Sequence, residues 1–296
     1  MKPLNVNNYI TEATAWLLEY TQKAGQTGYV IGVSGGVDSA VASTLCARTG
    51  LPLLVIEMPV HQGSDQVARA RNHIAWLKRQ FPSVTSIEVD LSSTFDTTLR
   101  AFESGEAQFP AALQQEQIKL GHANTRARLR MITLYQFATA LRRLVCGTGN
   151  KVEDFGIGYY SKYGDGGVDL SPLGNITKTE VWAVAVALGI NQEIIDAKPT
   201  DGLWANSPSD EDQIGASYSE LEWAMEFCFD HYIGFDNCTI DSGVAAVAKF
   251  ETENIERKEQ VMRIYMTRNR ANHHKMVPAP IFDSSDCRES VLSTTA

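Results

Sequence analysis

The sequence predicts an α/β fold: a doubly wound parallel sheet flanked by helices. Three observations point there. Short, nearly all-apolar runs alternate with segments of helical periodicity, the pattern of a parallel sheet covered on both faces. Two of these runs, Tyr29–Val33 and Leu144–Cys146, lead straight into glycine- and hydroxyl-rich loops. Ligands of such sheets bind beyond the carboxyl ends of the strands. The composition, 44% hydrophobic and 21% charged over 296 residues, is that of an ordinary globular chain. We read residues 1–296 as one domain, with 284–296 a flexible polar tail.

The elements follow in order. Asn7 to Ala24 is a helix, because Ile10, Ala13, Leu17 and Tyr20 fall on one stripe. Tyr29 to Val33 is a buried strand. Asp38 to Arg48 is the next helix, and Gly50 stands where a C-terminal glycine belongs. Leu51 to Glu57 is a strand. Ser64 to Phe81 is a helix, with Ser64 as its N-cap and Pro82 beyond its end. Val84 to Val89 is a third strand, Asn124 to Leu141 a long helix, and Leu144 to Cys146 a fourth strand. A helix from Thr179 to Leu188 stops at Gly189. The remainder from about Asp210 reads as helical, with a loop over His231 to Gly243. Glu103 to Gly121 and Ala205 to Gln213 read as mobile loops.

Bulk properties narrow the function. A net charge of -9 disfavours binding nucleic acid, which rests on lysine and arginine neutralising phosphates. The five cysteines are scattered and include no Cys-x-x-Cys pair, as expected of inert thiols in a reducing compartment. No segment has the length and apolarity of a membrane span. A cytoplasmic protein is expected.

The segment Gly32-Val33-Ser34-Gly35-Gly36-Val37-Asp38-Ser39 follows a strand and opens a helix. Gly35 and Gly36 let backbone N–H groups turn inward as an anion nest. Ser34 and Ser39 add hydroxyls, and the positive end of the helix dipole points at the same spot. Asp38 would be repelled by a bare phosphate there and makes sense with Mg²⁺ between them. No lysine follows the second glycine, so this is not a Walker A loop.

The loop resembles that of the ATP pyrophosphatase superfamily. Three further stretches narrow the resemblance: Gly147-Thr148-Gly149-Asn150-Lys151-Val152-Glu153; Lys162-Tyr163-Gly164-Asp165-Gly166-Gly167-Val168-Asp169 with Thr177-Lys178; and His274-Lys275-Met276-Val277-Pro278. With Pro199-Thr200 and Ser209-Asp210-Glu211 they resemble NAD⁺ synthetase over about Val30 to Phe282. The resemblance implies a Rossmann-like ATP pyrophosphatase fold. It also implies the reaction: ATP adenylates the nicotinate carboxylate of deamido-NAD⁺, pyrophosphate leaves, and ammonia displaces AMP to give NAD⁺. The phosphate loop begins about thirty residues in, so no amidase domain is expected ahead of it, and the ammonia-dependent, homodimeric form is implied. A GMP-synthetase-type enzyme would lack the Lys162–Asp169 run. A tRNA-thiolating enzyme would show paired cysteines and a basic face.

By the same resemblance, ATP is bound by Gly32 to Ser39, Thr148, Lys178 and Thr200, and Mg²⁺ by Asp38 and Glu153. Deamido-NAD⁺ is contacted by Arg128, Lys162, Asp169, His274 and Lys275. Gln62, just past a strand end, is placed near the adenine. Between Thr148 and Lys162 the chain is one residue longer than some relatives. Physical readings run alongside. A lysine at a helix start, as Lys178 is, opposes the helix dipole and calls for an anionic partner. Arg128 shares a helix side with Met131, Ile132 and Tyr135, while Arg126 and Arg130 point away. Asp38, Lys178 and Asp169 are the expected catalytic residues, and Asp165 or Asp169 the acceptor of the proton that ammonium must lose.

Overall fold

The computed structural model describes residues 3–109, 114–200, 209–234 and 237–283. The chain opens with α1 (Val6–Lys23), which buries Ile10, Ala13 and Leu17 of the expected stripe, while Tyr20 is exposed and Thr21 is buried in that turn instead. Then follow β1 (Tyr29–Gly32), α2 (Val37–Arg48), β2 (Leu53–Glu57), α3 (Ser64–Gln80) and β3 (Val84–Glu88). The N-cap of α3 is Gly63 rather than Ser64. Next come α4 (Ser92–Glu106), α5 (Gln115–Leu141) and β4 (Leu144–Val145).

The four strands are parallel in the order β3-β2-β1-β4. Strand alternation sorts the side chains onto two cores. Tyr29, Ile31, Leu53 and Val55 face α1, α2 and α3. Val30, Leu54, Ile56 and Val145 face α4 and α5, through Phe95 and Ala138. The sheet is thus doubly wound, as predicted. The chain steps outward from β1 to β3 and then returns to the other side of β1, so the order reverses between β1 and β4. A crevice opens at such a switch point. Asp169 and Leu170 extend the edge: the Asp169 N–H bonds to the Val145 carbonyl at 3.0 Å, and Leu170 bridges Cys146 in parallel.

After β4 comes a π-helical turn, Val152–Ile157. Then follow α6 (Lys178–Ala187), α7 (Gln192–Ile195), α8 (Asp210–Ile214), α9 (Tyr218–Asp230), α10 (Ile240–Phe250) and α11 (Ile255–Met276). A third apolar cluster joins the π-turn to α8–α11 through Val152, Ile157, Leu221, Val247 and Met262.

Three loop expectations change. The stretch Glu103 to Gly121 is largely helical, since α4 runs to Glu106 and α5 starts at Gln115. The expected loop His231 to Gly243 ends at Thr239, whose side chain caps α10 through a reciprocal bond with Ser242. The expected loop Ala205 to Gln213 also changes, since α8 begins at Asp210 with Ser209 as its N-cap; residues 205–208 and the tail 284–296 lie outside the described residues.

His73 on α3 is fully buried, stacks on Trp76 and sits 3.0 Å from the Ser43 hydroxyl through Nε2. Burial pushes its pKa from 6.5 down to about 4. The unfolded chain therefore takes up a proton near pH 6.5 that the folded chain refuses until about pH 4. Stability held above the upper value is lost as pH falls through this window, by about 3 kcal/mol in all. Urea titrations between pH 7 and 4 are expected to show this slope, and His73→Gln to flatten it. An unchanged slope in the variant would rule out His73 as its source.

Candidate active site

The phosphate loop leaves β1 at Gly32 and enters α2, with Gly36 as N-cap. Its hydroxyls shape it: the Ser39 hydroxyl donates to the Gly36 carbonyl at 2.9 Å and accepts the Ser34 N–H at 3.2 Å. Gly35 has a φ of +84°. A Cβ on it would lie 2.5 Å from the Gln66 carbonyl oxygen and 3.1 Å from the Ala70 nitrogen, so α3 packs directly on the loop. Gly35→Ala is expected to cost about 1–3 kcal/mol from the positive φ alone and to push α3 off the loop. Isothermal titration should then find ATP binding lost. Full affinity in the alanine variant would mean the loop does not need this geometry.

Behind the loop lies a buried ion cluster. Lys178 opens α6, where Thr177 and Glu180 form a capping box. Its side chain is 3% exposed, and Nζ lies 2.6 Å from Asp38 Oδ2 and 3.1 Å from Glu153 Oε1. Asn150 donates to Asp38 Oδ1 at 3.2 Å, and the Tyr218 hydroxyl donates to Glu153 Oε1 at 2.5 Å. Burial works against the Lys178 ammonium, but Asp38 and Glu153 outweigh it and hold its pKa above the ordinary lysine value. Burial also pushes the Asp38 carboxyl upward, with Lys178 pulling it back. The anionic partners that the position of Lys178 demands are thus supplied first by two carboxylates.

These groups share one cavity of about 260 Å³ at the carboxyl ends of β1 and β4. Gly32 to Ser39, Thr148, Glu153, Lys178 and Thr200 all line it, as does Gln62. The ATP and Mg²⁺ residues expected from the sequence are therefore brought together.

The residues expected to bind deamido-NAD⁺ are placed differently; among the described residues none of them lines this cavity. Arg128 is exposed and donates to the Lys162 carbonyl at 3.3 Å. The Lys162 ammonium in turn donates to the His274 carbonyl at 2.5 Å. Lys275 is half-buried and donates to the carbonyls of Gly158 and Tyr160, both at 2.9 Å. Asp169 accepts the Val145 N–H at 2.8 Å and the Tyr135 hydroxyl at 2.9 Å, one on each carboxylate oxygen. These five residues stitch α5, the glycine turn and α11 together beside the cavity. The turn's glycines serve packing: a Cβ on Gly164 would lie 2.9 Å from that of Ala127, and one on Gly167 3.1 Å from Met131 Cγ.

Further residues of the site were not singled out by the sequence. Gln66 Nε2 donates to the Thr200 hydroxyl at 2.5 Å, tying α3 to the segment after α7. Arg69 donates from Nε to the Gly35 carbonyl at 3.4 Å. Arg130 lines the cavity and donates to the Met58 carbonyl. Tyr218 and Asp210, whose contact is 3.0 Å, back Glu153. Asn150 and Asp210 fall within motif stretches and were findable on that ground; Gln66, Arg69 and Tyr218 carry no local signal.

The NAD synthase family profile matches residues 9–278. The chain is 39% identical over 223 residues to an NH₃-dependent NAD⁺ synthetase of Carboxydothermus hydrogenoformans, covering 74% of this chain and 81% of that protein. An enzyme of the same name from Methanosarcina mazei is 36% identical over 230 residues, covering 76% and 82%. Among solved structures, the NMN synthetase from Francisella tularensis superimposes with a TM-score of 0.74 and 26% identity, covering 95% of this chain and 100% of that one. The NH₃-dependent NAD synthetase from Campylobacter jejuni shares the fold, at a TM-score of 0.67 and 20% identity over 95% of this chain and 100% of that one. With a phosphate loop at the switch point, an acid–lysine–acid cluster behind it and relatives matched over most of their length, the chain belongs to the NAD synthase family.

Proposed function

We propose that this chain activates the nicotinate carboxylate of deamido-NAD⁺ with ATP, releasing pyrophosphate, and then lets ammonia displace AMP to give NAD⁺. The observation that carries it is the convergence of Asp38, Lys178 and Glu153 on the phosphate loop in a family of this activity.

Mg²⁺ fits Asp38 and Glu153. A pair of hard carboxylate oxygens completed by substrate phosphates is this ion's usual environment. When bound there, it would gather the phosphate oxygens and neutralise charge growing on the leaving pyrophosphate. The chain's own residues do the rest. The loop N–H groups and the Ser34 hydroxyl orient the phosphates, while the Ser39 hydroxyl holds the loop's shape. Tyr218 and Asn150 hold Glu153 and Asp38 in place. The attacking carboxylate is already ionised, so this half-reaction rests on positioning and charge stabilisation, with no general base. Ammonium must later lose a proton. Asp165 lines the cavity, whereas Asp169 is held by Val145 and Tyr135, so Asp165 is the better placed acceptor.

Arg128, Lys162, His274 and Lys275 form the adjoining rim for the rest of the dinucleotide. We place a homodimer contact along the Arg128 side of α5, where Ile132 is exposed. A cytoplasmic location agrees with thiols at all four described cysteines and with the absence, among the described residues, of a helix able to cross a membrane.

A second reading has its own support. The Francisella tularensis neighbour is an NMN synthetase, which puts the mononucleotide forward as acceptor. The test offers ATP, Mg²⁺ and ammonium with either deamido-NAD⁺ or nicotinate mononucleotide. AMP, pyrophosphate and NAD⁺ with the dinucleotide are expected. Faster turnover of the mononucleotide would select the second reading, and ADP with orthophosphate would sink both.

A further inference from the structure

We propose that Arg69 binds the β- and γ-phosphates of ATP and then the leaving pyrophosphate. The proposal rests on the reading that ATP is cut between its α- and β-phosphates in this cavity. Two lines of geometry support it.

The first is charge. A pyrophosphate leaving group needs cations around it. Lys178 is the buried cation nearest the loop, but it lies between Asp38 and Glu153. One ammonium between two carboxylates leaves that wall of the cavity net negative, so it cannot by itself neutralise a phosphate chain. Mg²⁺ held by Asp38 and Glu153 would offset this only in part against the charge of a triphosphate, and Arg69 on α3 adds a further positive charge at the same cavity.

The second is position. Gly35 carries no side chain, and the space is taken by the Gln66 carbonyl, the Ala70 nitrogen and Arg69 Cβ at 3.3 Å. A side chain on Gly35 would thus run into α3 at the turn that carries Arg69. Arg69 lines the cavity and donates from Nε to the Gly35 carbonyl at 3.4 Å, near the outer limit for such a bond. A guanidinium carries five donors in a planar fork that matches phosphate oxygens. The neighbouring Gln66–Thr200 bond fixes the same turn of α3. Arg130 also lines the cavity and donates from Nε to the Met58 carbonyl beyond β2. Arg69 is the guanidinium attached to the loop that holds the phosphates.

The test measures three ligands on the intact protein with Mg²⁺ by isothermal titration: ATP, pyrophosphate and AMP. No acceptor nucleotide is needed. Arg69→Gln keeps a donor toward Gly35 and removes the charge. It is expected to weaken ATP and pyrophosphate roughly ten- to hundredfold, the range of a charge-assisted hydrogen bond, and to leave AMP within about twofold. Arg69→Lys should recover part of the loss. Equal weakening of AMP and pyrophosphate would show that Arg69 merely shapes the loop and overturn the proposal, as would unchanged pyrophosphate affinity. If the glutamine variant fails to fold, the lysine variant decides: a pyrophosphate affinity equal to the parent's in high and low salt overturns the proposal. Loss of amidation with either acceptor nucleotide, alongside the expected Arg69 pattern, would instead count against the proposed reaction alone.

Discussion

Lys178→Met is expected to destabilise the Mg²⁺-free protein by about 3–5 kcal/mol, the cost of removing one partner from a buried ion pair. The mechanism is specific. Lys178 is 3% exposed and lies 2.6 Å and 3.1 Å from Asp38 and Glu153. Without its ammonium, two mostly buried carboxylates face each other with only Asn150 and Tyr218 to satisfy them. Methionine preserves the bulk of the stem, so packing against Tyr218 is largely kept. If Asp38 and Glu153 hold Mg²⁺ as proposed, the ion should return part of the loss to the variant, with a smaller effect on the parent. Urea titrations in chelator and in Mg²⁺ check both halves. Equal stability of the two proteins in chelator would refute the prediction, and so would equal stabilisation by the ion.

Asp38→Asn is expected to lower turnover by about 10²–10³-fold, on the scale seen when one preorganised electrostatic group is lost. Asparagine is nearly isosteric, and its carbonyl oxygen still accepts from Lys178. The variant should therefore melt closer to the parent than Lys178→Met does. It loses the negative charge that, in the proposed mechanism, would hold Mg²⁺ against the phosphate chain. AMP binding should change little, because AMP lacks the β- and γ-phosphates. Initial rates of pyrophosphate release, set beside melting curves, separate the two effects. A variant that releases pyrophosphate at the parental rate would remove Asp38 from the chemistry.

These two residues also show what was legible in the sequence. The phosphate loop was legible because its constraints are local: a glycine at positive φ, hydroxyls within five residues and a strand before a helix. The partners of Lys178 were not. Its carboxylates lie 140 and 25 positions away along the chain, and the helix-dipole argument could say only that an anion must be near. Periodicity set Arg128 beside Ile132 on α5, yet Ile132 is 57% exposed and Arg128 bonds to the Lys162 carbonyl. The side was right, and its burial could not be read from one helix. Asp169 was read as a ligand contact, and its bonds to Val145 and Tyr135 depend on strand pairing that no local pattern announces. The stretch between Thr148 and Lys162, read as one residue longer than in some relatives, contains a π-helical turn at Val152–Ile157 that no local pattern announces.

The seam between α2 and α6 has a mechanical side. Asp38 stands in the first turn of α2 and Lys178 in the first turn of α6, and the two helices pack through one shared core containing Val41, Leu45, Val181 and Ala185. Close-packed helices cannot compress, so the seam behaves like a vernier. A slip of one helix along the other, driven by any bulky substitution at Ala185, is read out undiminished as a change in the 2.6 Å gap between the charges at its end. The spacing of the Asp38 and Lys178 charges is thus set by hydrocarbon packed behind the cavity rather than by the residues that line it.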